Sequence, residues 1–340
     1  MPIRDGGLGI RFIANNADIS YDTSTTITQH LVDCIIKQSD ALPDAPTEHT
    51  TKTKTISKVK EIERTRSNTI KNNQNADLKR TLEHASEPGV SSWLGAIPIA
   101  AQGFDLNKGE FQDALCLRYL KPIKNLPSQC PCGSKFDTTH ALDCKKGGFV
   151  SARHNNIRDM EAKLLQSVCV DVESEPHLQK VVNKTGYKKS ANTEDDAHLD
   201  IRARGFWRQG QNAFFDVRVT NANCPSQRDS KIESILRNHE QQKKTSWNKR
   251  VMEVEHGSFT PLVFSTSGVM SHECVKYHQA LAEKLSQKKD ERYEVIMRYL
   301  RVKLSFLALK ATLLCLRGSR GKGNYEQGDD FSFSLDELGL

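Results

Sequence analysis

The sequence predicts an α/β (α+β) protein with a small Cys/His knuckle ahead of its main domain. Three observations carry that prediction. Four potential metal ligands crowd into residues 130–144, while six further cysteines are scattered singly. Residues 198–219, HLDIRARGFWRQGQNAFFDVRV, form two strand-like arms around a Gly- and Gln-rich middle. Stretches with apolar residues at helical spacing lie on both sides of that hairpin.

The chain has 340 residues, enough for two modest domains or one domain with long extensions. It is polar, with 37% hydrophobic and 27% charged residues, so a core is affordable while part of the chain stays loosely folded. The net charge of +7 allows a nucleic-acid partner without demanding one. No run reaches the roughly 18 apolar residues of a membrane span. The start, MPIRDGGLGIRF, lacks the apolar stretch of a signal peptide, so neither membrane insertion nor secretion is expected. The nine cysteines then belong in a reducing compartment, where a clustered minority suggests a metal instead of disulfides.

Residues 1–40 read as partly ordered. In STTITQHLVDCIIKQS the Ser/Thr start offers helix caps, and Ile27, Leu31, Cys34 and Ile35 fall at helical spacing. Residues 41–90 are Thr-, Lys- and Asn-rich, which reads as a flexible linker or a solvated helix with no site of its own. The texture turns globular at Ser91. A helix is expected from about Lys108 to Leu120 with Phe111, Leu115 and Tyr119 on one face, and the cysteine cluster completes a segment 91–150. The next domain spans 151–317. It opens with a helix near 154–168 that turns Ile157, Met160, Leu164, Leu165 and Val168 inward. After the hairpin come helices near 229–256, 270–287 and 290–316. SFTPLVFSTSG, between the first two, reads as a buried strand. The tail 318–340 reads as flexible and acidic. It contains Gly328-Asp329-Asp330, but the polar flanks deny that triplet the strand–turn–strand setting of a polymerase site.

The cluster CPCGSKFDTTHALDC supplies Cys130, Cys132, His140 and Cys144. Three thiolates and an imidazole make a closed tetrahedral zinc set, structural because no position is left for a substrate. Pro131 and Gly133 suit a tight turn that aims both thiolates inward. His140 and Cys144 lie one helical turn apart. Lys135, Lys145 and Lys146 favour thiolate formation, and a knuckle beside basic residues can also grip nucleic acid.

The hairpin raises a different question. With Gly205–Gln211 as the loop, Arg208 is its centre, and Asp200 and Asp216 face each other across the ladder. Their Cβ atoms are then roughly 5 Å apart. Leu199, Ile201, Phe215, Val217 and Val219 point to the other face. Opposed carboxylates need neutralising. Either Arg202, Arg204 and Arg218 pair with them, or a divalent cation sits between them, with Mg²⁺ or Mn²⁺ suiting the hard oxygens.

The zinc set, the helix opening RHNNIRDMEAKLL, LDI, FFDVRV and a later lysine-bearing helix together resemble the C-terminal region of non-LTR retrotransposon proteins. Those proteins carry a restriction-like endonuclease of the PD-(D/E)XK superfamily. The likeness covers roughly residues 90–317, and more weakly 1–40, where GGLGI is similar to the linker region of such proteins. It implies a restriction-endonuclease-like core, a mixed sheet flanked by helices, acting on DNA, with RNA as a second candidate partner, in the nucleus. By position, Asp200 matches the first metal-binding aspartate and Asp216 the acidic residue of the (D/E)XK element. The superfamily's lysine position holds Arg218, which cannot act as a base but can stabilise phosphate charge. Lys243 or Lys244 on the following helix are the candidate replacements. Glu161, or alternatively Asp159, is the candidate for completing the metal shell. Arg153, His154 and Arg158 are candidate nucleic-acid contacts. Leu199 stands where the motif has proline. No reverse-transcriptase Tyr-x-Asp-Asp is present in the chain.

Three functions follow in order of expectation: a metal-dependent DNA endonuclease, a nucleic-acid-binding zinc protein without catalysis, and a zinc-bearing interaction domain.

Overall fold

The computed structural model describes residues 1–10, 13–39, 48–181, 194–318 and 320. The Gly328-Asp329-Asp330 triplet lies outside the described residues. The chain divides into two units, Met1–Ser86 and Glu87–Leu340.

The first unit contains three helices: α1 (Ala17–Lys37), α2 (Glu48–Asn72) and α3 (Ala76–Ser86). α1 starts earlier than its Ser/Thr cluster suggested. Those hydroxyls lie inside the helix, where Thr23, Thr26 and Thr28 donate to carbonyls four residues back. Its apolar stripe is not core: Ile35 is 76% exposed. Residues 48–86, expected as a linker or solvated helix, are the helical alternative. Serine and threonine along α2 satisfy their hydroxyls on the preceding turn, and its long charged side chains are good helix formers.

The second unit is built on one four-stranded sheet in the order β1 (Val170–Ser174), β2 (Ile201–Arg204), β3 (Asn212–Thr220), β4 (Ser258–Ser265). The first two pairings are antiparallel and β3–β4 is parallel, so the sheet is mixed. The parallel pair needs a crossover, which α7 (Ile232–Glu253) supplies. Alternation along β3 splits the core. Phe215 and Val217 pack with α6 (Phe149–Gln166), α8 (His272–Lys289) and α9 (Tyr293–Arg317). Phe214 packs with Val251 of α7 and with Phe259. Gly257 admits the chain into β4, since a Cβ there would meet Asn212 O at 2.8 Å.

α6 begins at Phe149, before the expected start, and buries Ile157, Met160, Leu164 and Leu165. Two apolar positions depart from expectation. Phe111 of α4 (Lys108–Arg118) is 44% exposed, edge-on to Trp93, and the buried residues there are Asp113, Ala114 and Arg118. Leu199 joins Phe214 instead of the face of Ile201, because β2 begins only at Ile201 and strand alternation does not extend through the bend at Asp200. β1 escaped the sequence reading. It is a short edge strand with Val170 and Asp171 around a register shift, and Val170 is 78% exposed, so it carries no apolar alternation.

Among the described residues no helix is long and apolar enough to cross a membrane.

Candidate functional site

The ladder pairs Ile201 with Phe215 and Arg204 with Asn212, which brings Asp200 level with Asp216. β3 runs on past the last paired residue of β2. There the backbone of Val217 is completed by side chains. Its N–H donates to Asp200 Oδ2 at 2.6 Å, and its carbonyl accepts from His154 Nε2 at 3.1 Å. The same Nε2 lies 3.3 Å from Asp200 Oδ2. A carbonyl can only accept, so this nitrogen carries the proton.

Lys243 of α7 reaches Asp216 from the other side, Nζ 2.5 Å from Oδ2. That ion pair engages the buried oxygen of Asp216. The two carboxyls influence each other, and their acidities diverge. Burial pushes Asp216 up to about 6, against the pull of Lys243 and with the push of the Asp200 charge. Burial would raise Asp200 too, but its hydrogen bond and charge contact with His154 hold it below its ordinary value. His154 shifts upward in turn: burial disfavours its charge, and Asp200 outweighs that.

The arginines expected to neutralise the pair are engaged elsewhere. Arg202 reaches sideways to Asp171 and Glu173 of β1, and Arg204 Nε donates to Gly210 O. Arg218 donates to Gln242 Oε1 at 3.1 Å and makes no ion pair with Asp216 among the described residues. The neutralising cations come from helices, which the hairpin sequence could not reveal. Of the two candidate lysines, Lys243 meets the site, while Lys244 pairs with Glu273 at 3.2 Å.

Glu161 does not join the carboxylates. It is fully buried, accepting from Tyr277 OH at 3.1 Å and His278 Nε2 at 3.0 Å. Tyr277 packs on Phe215, whose side chain leaves β3 on the face opposite to Asp216. Asp159 accepts from Arg158 Nε. The expected nucleic-acid contacts also move inward. Arg153 is 3% exposed and donates to Leu142 O, and Arg158 is held by Asp159 and Glu175. His154 orients Asp200. The sequence reading missed the chain Thr220–His239–Gln242–Arg218 beside the site, for which nothing in the linear pattern gave a signal.

A separate centre forms at the knuckle. Gly133, at φ 92°, closes a turn in which Cys130 N bonds Ser134 O. Asp137 caps α5 (Thr138–Asp143) by accepting from His140 N, which turns His140 and Cys144 toward that turn. The four ligand atoms lie within 4.8 Å of one another. Cys130 Sγ and Cys144 Sγ are 3.8 Å apart, and Cys132 Sγ and His140 Nε2 3.3 Å. A tetrahedron with about 2.3 Å bonds to sulfur has an edge of roughly 3.8 Å, so the group can hold a metal such as zinc. Ser134 hydrogen bonds pull the exposed Cys132 thiol down to about 6, while burial raises Cys130.

No family model and no curated protein matches this chain.

Proposed function

We propose that the protein is a metal-dependent endonuclease acting on DNA, of the restriction-like kind that its sequence resembles. One observation carries the reading: two buried aspartates brought level on the hairpin, approached by His154 from one helix and Lys243 from another. Hard carboxylate oxygens fit Mg²⁺ or Mn²⁺. Such a cation would supply Lewis acidity to water and to the phosphodiester. Asp200 and Asp216 would hold it, in exchange for the Lys243 cation that faces Asp216. Lys243, freed from Asp216, would stand ready to stabilise charge on the phosphate, with Arg218 as a fixed second cation. His154 would keep Asp200 aimed by holding its oxygen against the Val217 backbone. The knuckle would hold structural zinc, and a nuclear location goes with the retroelement resemblance.

A binding protein without catalysis is the second reading. What favours it is the engagement of Glu161 and Asp159 elsewhere, which removes both candidates for a third acidic ligand.

Plasmid nicking by the purified protein with Mg²⁺ or Mn²⁺, beside zinc-loaded Asp216→Ala, tests the choice. Nicking by the parent and none by the variant supports the endonuclease. If both bind DNA and neither cuts, the second reading replaces it.

A further inference from the structure

The hairpin loop Gly205–Gln211 takes no part in the carboxylate site, yet its composition is unusual for a surface turn. It reads Gly-Phe-Trp-Arg-Gln-Gly-Gln, with two aromatic rings and no acidic residue. Phe206 is buried, packing on Phe215 at 5.5 Å and Tyr277 at 5.1 Å. Trp207 sits edge-on to it, ring centroids 4.7 Å apart. The indole N–H donates to Thr260 Oγ1 at 3.0 Å, and Thr260 is the cross-strand partner of Phe215, the residue before Asp216.

The ring is therefore anchored at its polar edge and along one flank, yet 39% of the residue is open to solvent. Its only side-chain hydrogen-bonding group is already satisfied, so whatever part of the ring meets solvent offers apolar contact and no further hydrogen bond. Trp93 is buried and Trp247 partly buried, which leaves Trp207 the most exposed tryptophan of the three. Its neighbour Arg208 is exposed, and its guanidinium has no partner among the described residues. An immobilised aromatic face beside a free cation is the pairing that takes a nucleic-acid base and its phosphate. Because the ring is already ordered, stacking on it costs little side-chain entropy.

We propose that this loop is a stacking platform for an unpaired base of single-stranded DNA, with Arg208 on the adjoining phosphate. The proposal rests on the nucleic-acid reading above and adds to it a preference for sites where a base is already unstacked.

The test titrates the full chain with a dT oligonucleotide, without Mg²⁺, and follows tryptophan emission and affinity. Expected results are quenching in the parent, its loss in Trp207→Phe, and ~5- to 150-fold weaker single-strand binding by Trp207→Ala, the span for one base–aromatic stack. Arg208→Gln, at an exposed position, should weaken binding and lower the salt slope by about one. Thermal melting checks that each variant is folded. Single-strand binding with unchanged emission, or Arg208→Gln binding as tightly as the parent, overturns the proposal, as does quenching by an oligoribonucleotide alone. Plasmid nicking without quenching overturns the platform and keeps the endonuclease. Quenching without nicking does the reverse. Absence of any DNA binding at low salt overturns both.

Discussion

Lys243 Nζ stands 2.5 Å from Asp216 Oδ2, so a cation from the middle of α7 neutralises a carboxylate on the central strand β3. The strand's own cation, Arg218, is turned to Gln242. The neutralising charge thus comes from the helix and not from the strand that carries Asp216.

Lys243→Ala is expected to cut nicking by about 10²–10³-fold, the usual loss for one preorganised transition-state donor. Lys244→Ala, whose partner is Glu273, should stay within a few-fold of the parent. Initial nicking rates of the two variants at saturating Mg²⁺ check this. Equal losses would remove Lys243 from its special role.

The two aspartates should act on stability with opposite signs. Asp216 titrates at about 6 in the folded chain against an ordinary 3.8. The folded state therefore holds its proton longer, and stability falls as pH rises through that window. Asp216→Asn should stabilise the protein at pH 7.5, by at most about 3 kcal/mol, with the gain vanishing near pH 4. Asp200 is shifted downward, so its contribution is present above its ordinary value and is lost as pH falls through the lowered one. Asp200→Ala also leaves Val217 N–H without its acceptor and should cost about 1–3 kcal/mol at neutral pH. Urea denaturation of both variants between pH 4 and 8 separates the signs.

At the knuckle, the purified chain is expected to carry one equivalent of zinc, measured by atomic emission, and Cys144→Ser should lose it. The ligand cluster packs on Leu316 near the end of α9, so metal loss should also lower the melting temperature of the second unit. Cobalt in place of zinc should give the visible bands of a tetrahedral thiolate-rich site. A chain that binds no metal and melts unchanged in strong chelator would refute the centre.

Glu161→Gln should spare Mg²⁺-dependent nicking while destabilising the fold, by about 3–5 kcal/mol if His278 is left charged. Burial opposes the charge on His278, and Glu161 outweighs that and raises its pKa. The pair's stabilisation is thus present below the ordinary histidine value and fades as pH rises through the raised one. The penalty should be largest near pH 6. Loss of cleavage in a folded Glu161→Gln protein would return Glu161 to the metal site.

What the sequence made legible follows from periodicity and chain proximity. The register of the hairpin came from counting around Arg208, and the Cys130–Cys144 cluster is local enough for its spacing to define it. Helices α6 to α9 show their apolar stripes directly. Contacts made by docking one element on another were not legible. Nothing in RNHEQQKKTSW distinguishes Lys243 from Lys244, because the choice is set by how α7 rotates against β3. Arg153 was read as a nucleic-acid contact and Glu161 as a metal-shell candidate, whereas the fold buries both with partners distant in the chain. β1 was missed because an edge strand of five mostly exposed residues has no core face to display.

The completion of Val217 by side chains has a consequence for tolerance to change. Asp200 and His154 take the place of a strand along that stretch of β3, so the position of the first carboxylate is tied to the backbone it bonds. Lengthening the Gly205–Gln211 turn by one residue would carry Asp200 past Val217, and the loop's contents are constrained as well, by buried Phe206 and by the positive φ of Gly205 and Gly210. Selection on such a site acts on the number of residues in the turn as well as on their kind.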